Sequence, residues 1–167
     1  MILSCGEALI DFVPVQDENG SIRYRPCPGG SPYNTAVALG RLGVPTGFCC
    51  VLSRDFFGSL LLSHLEHSKV RTDWVSRIDR DTTLAFVSAE SANAEVEYTF
   101  YCRDTADRSL KETDLPYSLP ENVCLFEFDS VSLVLEPTAS TLEQFMSGES
   151  STRLLAVDPT IRSGRIP

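Results

Sequence analysis

Residues 28–43 read Pro28-Gly29-Gly30-Ser31-Pro32-Tyr33-Asn34-Thr35-Ala36-Val37-Ala38-Leu39-Gly40-Arg41-Leu42-Gly43. A glycine pair closes an extended segment, and a helix opens at once. Ser31 is a good N-cap and Pro32 suits the first helical position, so a helix is predicted over about 32–42. Gly43 and Pro45 stop it. Ala36 and Gly40, one turn apart, let the helix lie close on a sheet. Thr46 to Leu52 then runs as a continuous apolar strand, the kind buried on both faces in a parallel sheet.

Working outward, Ile2-Leu3-Ser4-Cys5 is a short apolar strand broken by Gly6. Residues 8–25 read as a hairpin turning at Asn19-Gly20. Asp55 caps a second helix near 56–68, with Leu61, Leu62 and Leu65 on its inner side. A second hairpin is expected over 83–101, turning at Ser91-Ala92-Asn93-Ala94. Val123 to Phe128, Thr138 to Ser147 and Leu154 to Val157 read strand, helix, strand, which implies parallel pairing with a right-handed crossover.

Two architectures are therefore interleaved. One is an α/β parallel sheet with strands near 2–5, 46–52, 123–128 and 154–157; the other is a small antiparallel sheet from 8–25 and 83–101. A sheet inserted into an α/β core is often a lid over a ligand cleft. About three helices precede the last residue for four core strands, so the fold is expected to be incomplete.

The chain has 167 residues, 43% apolar and 22% charged, which excludes disorder and fits one globular unit. Fourteen Lys and Arg against 23 Asp and Glu give −9, a field that repels phosphate backbones, so no nucleic-acid partner is expected. No apolar run approaches a membrane span and no signal peptide is visible, which favours a cytoplasmic protein without a membrane partner. The six cysteines show no C-x-x-C spacing, and His64 and His67 do not complete a zinc set, so neither disulfides nor a metal site is expected.

Ligands of α/β sheets bind at the carboxyl ends of the strands. Asp11, Gly29, Gly30, Asn34, Asp158 and Arg162 all fall there. A carboxylate accepts from two neighbouring hydroxyls, and two glycines let a ring press on backbone N–H groups. That set suits a polyhydroxylated ligand. Each residue also has a plain alternative: a tight turn for the glycines, a solvated strand end for Asp11, an exposed first-turn residue for Asn34, a surface ion pair for Arg162.

Five stretches, in order, resemble the ribokinase (PfkB) family of sugar kinases, and fructokinases in particular. They are Gly6-Glu7-Ala8-Leu9-Ile10-Asp11-Phe12, the 28–43 segment, Arg54-Asp55-Phe56-Phe57-Gly58, Tyr101-Cys102-Arg103-Asp104-Thr105-Ala106-Asp107 and Asp158-Pro159-Thr160-Ile161-Arg162. The fourth is similar to an Arg-x-x-x-Ala-Asp segment and the fifth to an Asp-x-Asn-x-Arg motif. The resemblance implies a Rossmann-like, mostly parallel sheet with helices on both faces and a β-sheet lid. It implies transfer of the ATP γ-phosphoryl group to a sugar hydroxyl, with fructose favoured, and ATP and Mg2+ in the complete enzyme. It assigns sugar contacts to Asp11, Gly29, Gly30, Asn34 and Arg103, and a phosphate-side position to Asp158 and Arg162. It also implies a homodimer joined through the lid.

The departures bear on function. Thr160 stands where the family usually has Asn, and Asp129 where fructokinases tend to have Gly. The family's second signature, Gly-Ala-Gly-Asp, which carries the catalytic Asp and the anion hole, does not occur, and neither does a Walker P-loop. Residues 1–167 thus resemble the N-terminal, sugar-binding part of one such domain, with the ATP-binding half absent and no catalytic residue present. Two other readings differ in class. One is a non-catalytic sugar-binding or interaction module ending near residue 167. The other is a nucleotide-dependent oxidoreductase, for which the required G-x-G-x-x-G after a strand is missing.

Overall fold

The computed structural model describes residues 1–88 and 97–159. Its elements are β1 (Ile2–Cys5), β2 (Leu9–Gln16), β3 (Ile22–Gly29), α1 (Ser31–Arg41), β4 (Thr46–Ser53), α2 (Phe56–His67), β5 (Arg71–Ile78), β6 (Leu84–Val87), β7 (Tyr98–Tyr101), β8 (Leu125–Asp129), α3 (Thr138–Glu149) and β9 (Leu154–Asp158). Five strands form a parallel sheet in the order β5-β4-β1-β8-β9, and four form a second sheet in the order β3-β2-β6-β7. The first is the α/β core and the second the lid expected from sequence. The expected turn at 91–94 lies outside the described residues, as do Thr160 and Arg162.

The core sheet has one strand more than the four expected. The 71–78 stretch mixes charged, polar and apolar residues without a clear period, so it reads poorly as a buried strand. It forms β5 because parallel pairing with β4 gives its backbone partners. The lid is mixed rather than antiparallel throughout. β2 pairs antiparallel with β3 but parallel with β6, and β6 pairs antiparallel with β7.

β4 is buried along its whole length, as its continuous apolar run requires. It divides the core in two. On one face Phe48, Cys50 and Leu52 meet Tyr33, Ala36 and Val37 of α1 and Leu61 and Leu65 of α2. On the other, Cys49 and Val51 join Leu3, Cys5, Phe126, Phe128 and Leu142. All six cysteines are free thiols. Gly40 lies against the Ser68 backbone, so its small size brings α1 close to the end of α2 rather than to the sheet.

Ser31 is not the N-cap of α1. Gly30 holds that position with φ 108° and offers no capping side chain of its own. Ser31 is the first helical residue, and its hydroxyl donates to Asp129. Asp55 does cap α2, accepting from the Gly58 N–H at 2.7 Å.

Candidate functional site

The first strand leaves the core at Gly6 and enters the lid at Leu9. One face of the lid carries Phe12, Phe86, Tyr24 and Tyr101 in ring contact. By alternation Asp11 points to the other face. Asp11 stands beside Ala85 of β6, which stands beside Phe100 of β7, so the three form a row across the lid.

The Asp11 carboxylate lies where a Cβ on Gly29 would be. A Cβ on Gly30 would stand 2.8 Å from the Glu7 carbonyl oxygen. The glycine pair is thus required by close approach at both residues, and at Gly30 by a positive φ as well. The Asn34 N–H donates to the Gly30 carbonyl at 2.9 Å, within the first turn of α1, and Asn34 is exposed. Asp11 with Gly29, and Gly30 with the backbone of Asn34, are thus neighbouring pairs where lid and core meet, at a surface to which the buried Gly29 contributes little.

Arg103 is not part of that surface as far as the lining goes. It opens on a cavity of about 770 Å³ at the base of the lid, with Asp55, Phe57, Asp81, Phe100, Tyr101, Cys102 and Arg108 among its walls, and without Asp11, Gly29, Gly30 or Asn34. Arg103 is exposed and stands three residues before Ala106, one fewer than in the Arg-x-x-x-Ala-Asp segment. Cys102 occupies the place of that segment's arginine.

Asp158 ends β9 beside Asp129 at the end of β8 and is exposed. Asp129 is buried and accepts from the Ser31 hydroxyl. Next to it, Glu127 accepts from the Ser4 hydroxyl. Burial pushes Glu127 up to about 7, and the neighbouring carboxylates of Asp129, Glu7 and Asp158 add to this.

Glu7 is a residue to which the sequence assigned no role. It is 5% exposed. Its carboxylate accepts from the Ser31 N–H at 3.2 Å, the Ser132 N–H at 3.2 Å and the Ser132 hydroxyl. It thereby ties the start of α1 to the turn after β8. Burial raises it to about 7, against the lowering effect of the Ser132 and Ser31 hydrogen bonds. A carboxylate directly after a strand-ending glycine was the available signal. At the lid base, Asp107 is buried and accepts from the Thr83 hydroxyl at 2.6 Å. Burial raises its pKa, although hydrogen bonds from Thr83 and Thr105 oppose the rise.

Among the described residues no group of three or more His, Cys, Asp or Glu could hold a metal ion. Nor is any described helix long and apolar enough to cross a membrane. A second cavity of about 630 Å³, lined by Cys124, Arg153 and Leu154 among others, lies at the opposite end of β8 and β9 from Asp129.

A five-stranded parallel sheet with helices and a small mixed β lid is the ribokinase-like fold. Residues 1–162 match the family model described as pfkB family carbohydrate kinase, and the chain belongs to that family. It is 39% identical over 166 residues to a fructokinase of Rhizobium leguminosarum bv. trifolii, covering 99% of this chain and 50% of that protein. It is 36% identical to a fructokinase of Solanum tuberosum, over 97% of this chain and 52% of that one. The chain spans about half the length of the curated relatives it matches. Its fold superposes on the fructokinase of Xylella fastidiosa with a TM-score of 0.88 and 27% identity, covering 99% of this chain and 56% of the other. The Vibrio cholerae O395 fructokinase, solved with fructose, ADP and calcium ion, gives a TM-score of 0.81 at 25% identity, over 96% of this chain and 51% of that one.

Proposed function

We propose that this chain is the sugar-binding part of a fructokinase, an enzyme that moves the ATP γ-phosphoryl group to a fructose hydroxyl. The observation that carries the reading is the Asp11 carboxylate seated against Gly29, beside the Gly30 cap of α1. Likeness to fructokinases at 39% and 36% identity supports the choice of sugar.

In this reading Asp11 accepts from two sugar hydroxyls and fixes the ring's orientation. Gly29 and Gly30 let the ring approach the backbone, and Asn34 gives and accepts one further hydrogen bond. Arg103 borders the sugar from the lid base. Asp158 is assigned to the phosphate side, as is Arg162, which lies outside the described residues, on the motif alone. ATP would supply the transferred group and Mg2+ would offset its charge in the complete enzyme; the described residues include no cluster of His, Cys, Asp or Glu that would hold the metal. The string Gly-Ala-Gly-Asp does not occur in these 167 residues, and in this reading the chain binds sugar without turning it over. The setting is cytoplasmic. A second copy covers the exposed residues Ile22, Tyr24 and Tyr101 on the lid face away from Asp11, and sedimentation giving a monomer at every concentration would remove that element of the proposal.

The test is calorimetric titration of the chain with fructose, alongside Asp11→Asn. Binding that Asp11→Asn abolishes is the expected result. Absence of binding, or equal binding by both, overturns the site. ADP formed by the purified chain above background would defeat the statement that it does not turn over.

A further inference from the structure

Two motif carboxylates take no part in the sugar contacts described above. Asp55 belongs to the Arg54–Gly58 stretch and Asp107 to the Tyr101–Asp107 stretch. Both reach one place, the threonine pair that leads into β6. The Asp55 carboxylate accepts from the Thr82 N–H at 2.9 Å and the Thr82 hydroxyl at 2.8 Å, while it caps α2. The Asp107 carboxylate accepts from the Thr83 hydroxyl at 2.6 Å, and the Ala106 N–H beside it donates to the Asp81 carbonyl at 2.9 Å. Thr82, Thr83 and Asp107 are all buried.

Each carboxylate is rooted in a different half of the core. Asp55 opens α2, whose Leu61 and Leu65 pack on the face of β4 that carries Phe48 and Leu52. The Asp107 carbonyl accepts from the Thr138 hydroxyl at the start of α3, whose Leu142 packs on the opposite face. Helices from both faces of the sheet therefore hold the entry to β6. From that entry the hold passes to β2. The Thr83 carbonyl accepts from the Ile10 N–H at 3.0 Å, and the next residue is Asp11. Burying a carboxylate costs stability, and apolar contacts would join these elements without that cost. What hydroxyl-to-carboxylate bonds add is fixed direction.

We propose that Asp55 and Asp107 are positioning residues for sugar binding. Through Thr82 and Thr83 they fix the entry to β6 against both halves of the core, and so set where Asp11 stands. The inference rests on the sugar-binding reading of Asp11 given above, and neither carboxylate touches the sugar in it. It gives a role to two motif carboxylates that the sugar contacts leave without one.

The test compares Thr82→Val/Thr83→Val, which removes both hydroxyls, with Thr82→Ser/Thr83→Ser, which keeps them. Gly40→Ala, near the far end of α1, is the destabilised control. Fructose affinity is read by calorimetry, stability by thermal melting, and the Ile10 amide by hydrogen exchange. The valine pair is expected to bind about tenfold more weakly, the scale of a displaced binding group, and to exchange faster at Ile10. The serine pair is expected to bind like the parent. Gly40→Ala is expected to melt lower and keep its affinity, which separates positioning from stability. Parental affinity in the valine pair overturns the proposal, as does unchanged exchange at Ile10. So does a serine pair as weak as the valine pair, or an equal loss of affinity in Gly40→Ala. If the valine pair does not fold, Asp55→Asn decides, since its one oxygen keeps the Gly58 N–H and its amide cannot accept from the Thr82 N–H. Weaker binding is expected there, and parental affinity overturns the proposal. Asp11→Asn separates the two readings: binding lost there but kept in the valine pair removes the positioning role alone. A parent chain that binds no fructose removes the sugar reading and this inference with it.

Discussion

The carboxylate of Asp11 occupies the volume that a side chain on Gly29 would need. The two residues sit on adjacent antiparallel strands, with Leu9 opposite Gly29 and Asp11 opposite Cys27. The glycine is thus the seat of the carboxylate. Gly29→Ala must push Asp11 aside, and it should weaken fructose binding about as much as Asp11→Asn. Calorimetry on both variants checks this, and unchanged affinity in Gly29→Ala would show that the seat is dispensable.

Glu7 sets a pH dependence. Its folded-state pKa of about 7 lies above the ordinary value of 4.5, so the folded chain binds its proton more tightly than the unfolded chain does. The resulting stability is fully present below pH 4.5 and is lost as pH rises through about 7. Its full size is on the order of 3 kcal/mol. The melting temperature should therefore drop less between pH 5 and pH 8 in Glu7→Gln than in the parent, with both pH values about spanning the titration. Equal drops in the two proteins would refute the assignment.

His64 behaves in the opposite sense. Arg41 Nη2 lies 2.8 Å from its Nε2, and the Tyr33 hydroxyl lies 2.8 Å from Nδ1 while donating to the Leu61 carbonyl. An arginine only donates, so Nε2 is the acceptor and Nδ1 carries the proton. Burial and the Arg41 charge lower the His64 pKa. Its contribution to stability is present above the ordinary value of 6.5 and lost as pH falls through the folded value. Arg41→Met should raise the His64 midpoint read by NMR, and should shift the neutral ring away from a fixed Nδ1–H tautomer. A midpoint unmoved by Arg41→Met would rule the clamp out.

Two glycines make a paired comparison. Gly40 meets the Ser68 backbone, which has little freedom to retreat, whereas nothing lies within 4 Å of a Cβ on Gly148 in α3. Gly148→Ala should stabilise by about 0.5–1 kcal/mol through helix propensity. Gly40→Ala should destabilise despite the same propensity gain. Urea denaturation of the two variants tests the opposite signs.

Phe126 is fully buried and in ring contact with Phe128 and Phe145. Phe126→Ala should cost about 3–5 kcal/mol. A loss under 1 kcal/mol, about the scale of a surface substitution, would mean that this half of the core collapses around the gap.

Much of this fold was legible in the sequence. The buried run of β4, the glycine pair before α1 and the strand-helix-strand order of β8, α3 and β9 each carry a local signal. β5 escaped because its residues are half-exposed and charged at intervals, and only pairing with β4 makes them a strand. The parallel pairing of β2 with β6 escaped because strand direction across a long connection leaves no trace in either strand's pattern. At the site, the glycines could be read from their place at a strand end, whereas Asp11, expected just past the first core strand, lies inside β2 of the lid. Glu7 left only its place after a strand-ending glycine as a signal, since its partner Ser132 is 125 residues away.

The four crossings between core and lid are aligned. Leu9 stands opposite Gly29, Ile10 opposite Leu84, and Leu84 opposite Tyr101, so the chain passes from one sheet to the other along a single row. A plate attached along a row turns about that row and has no other easy motion. The turn at Asn19-Gly20 would travel far in such a swing, while Asp11, two residues from the axis, would hardly move. Under the proposed function, such a swing leaves the Asp11 contact with the sugar nearly unchanged, because that contact lies beside the axis.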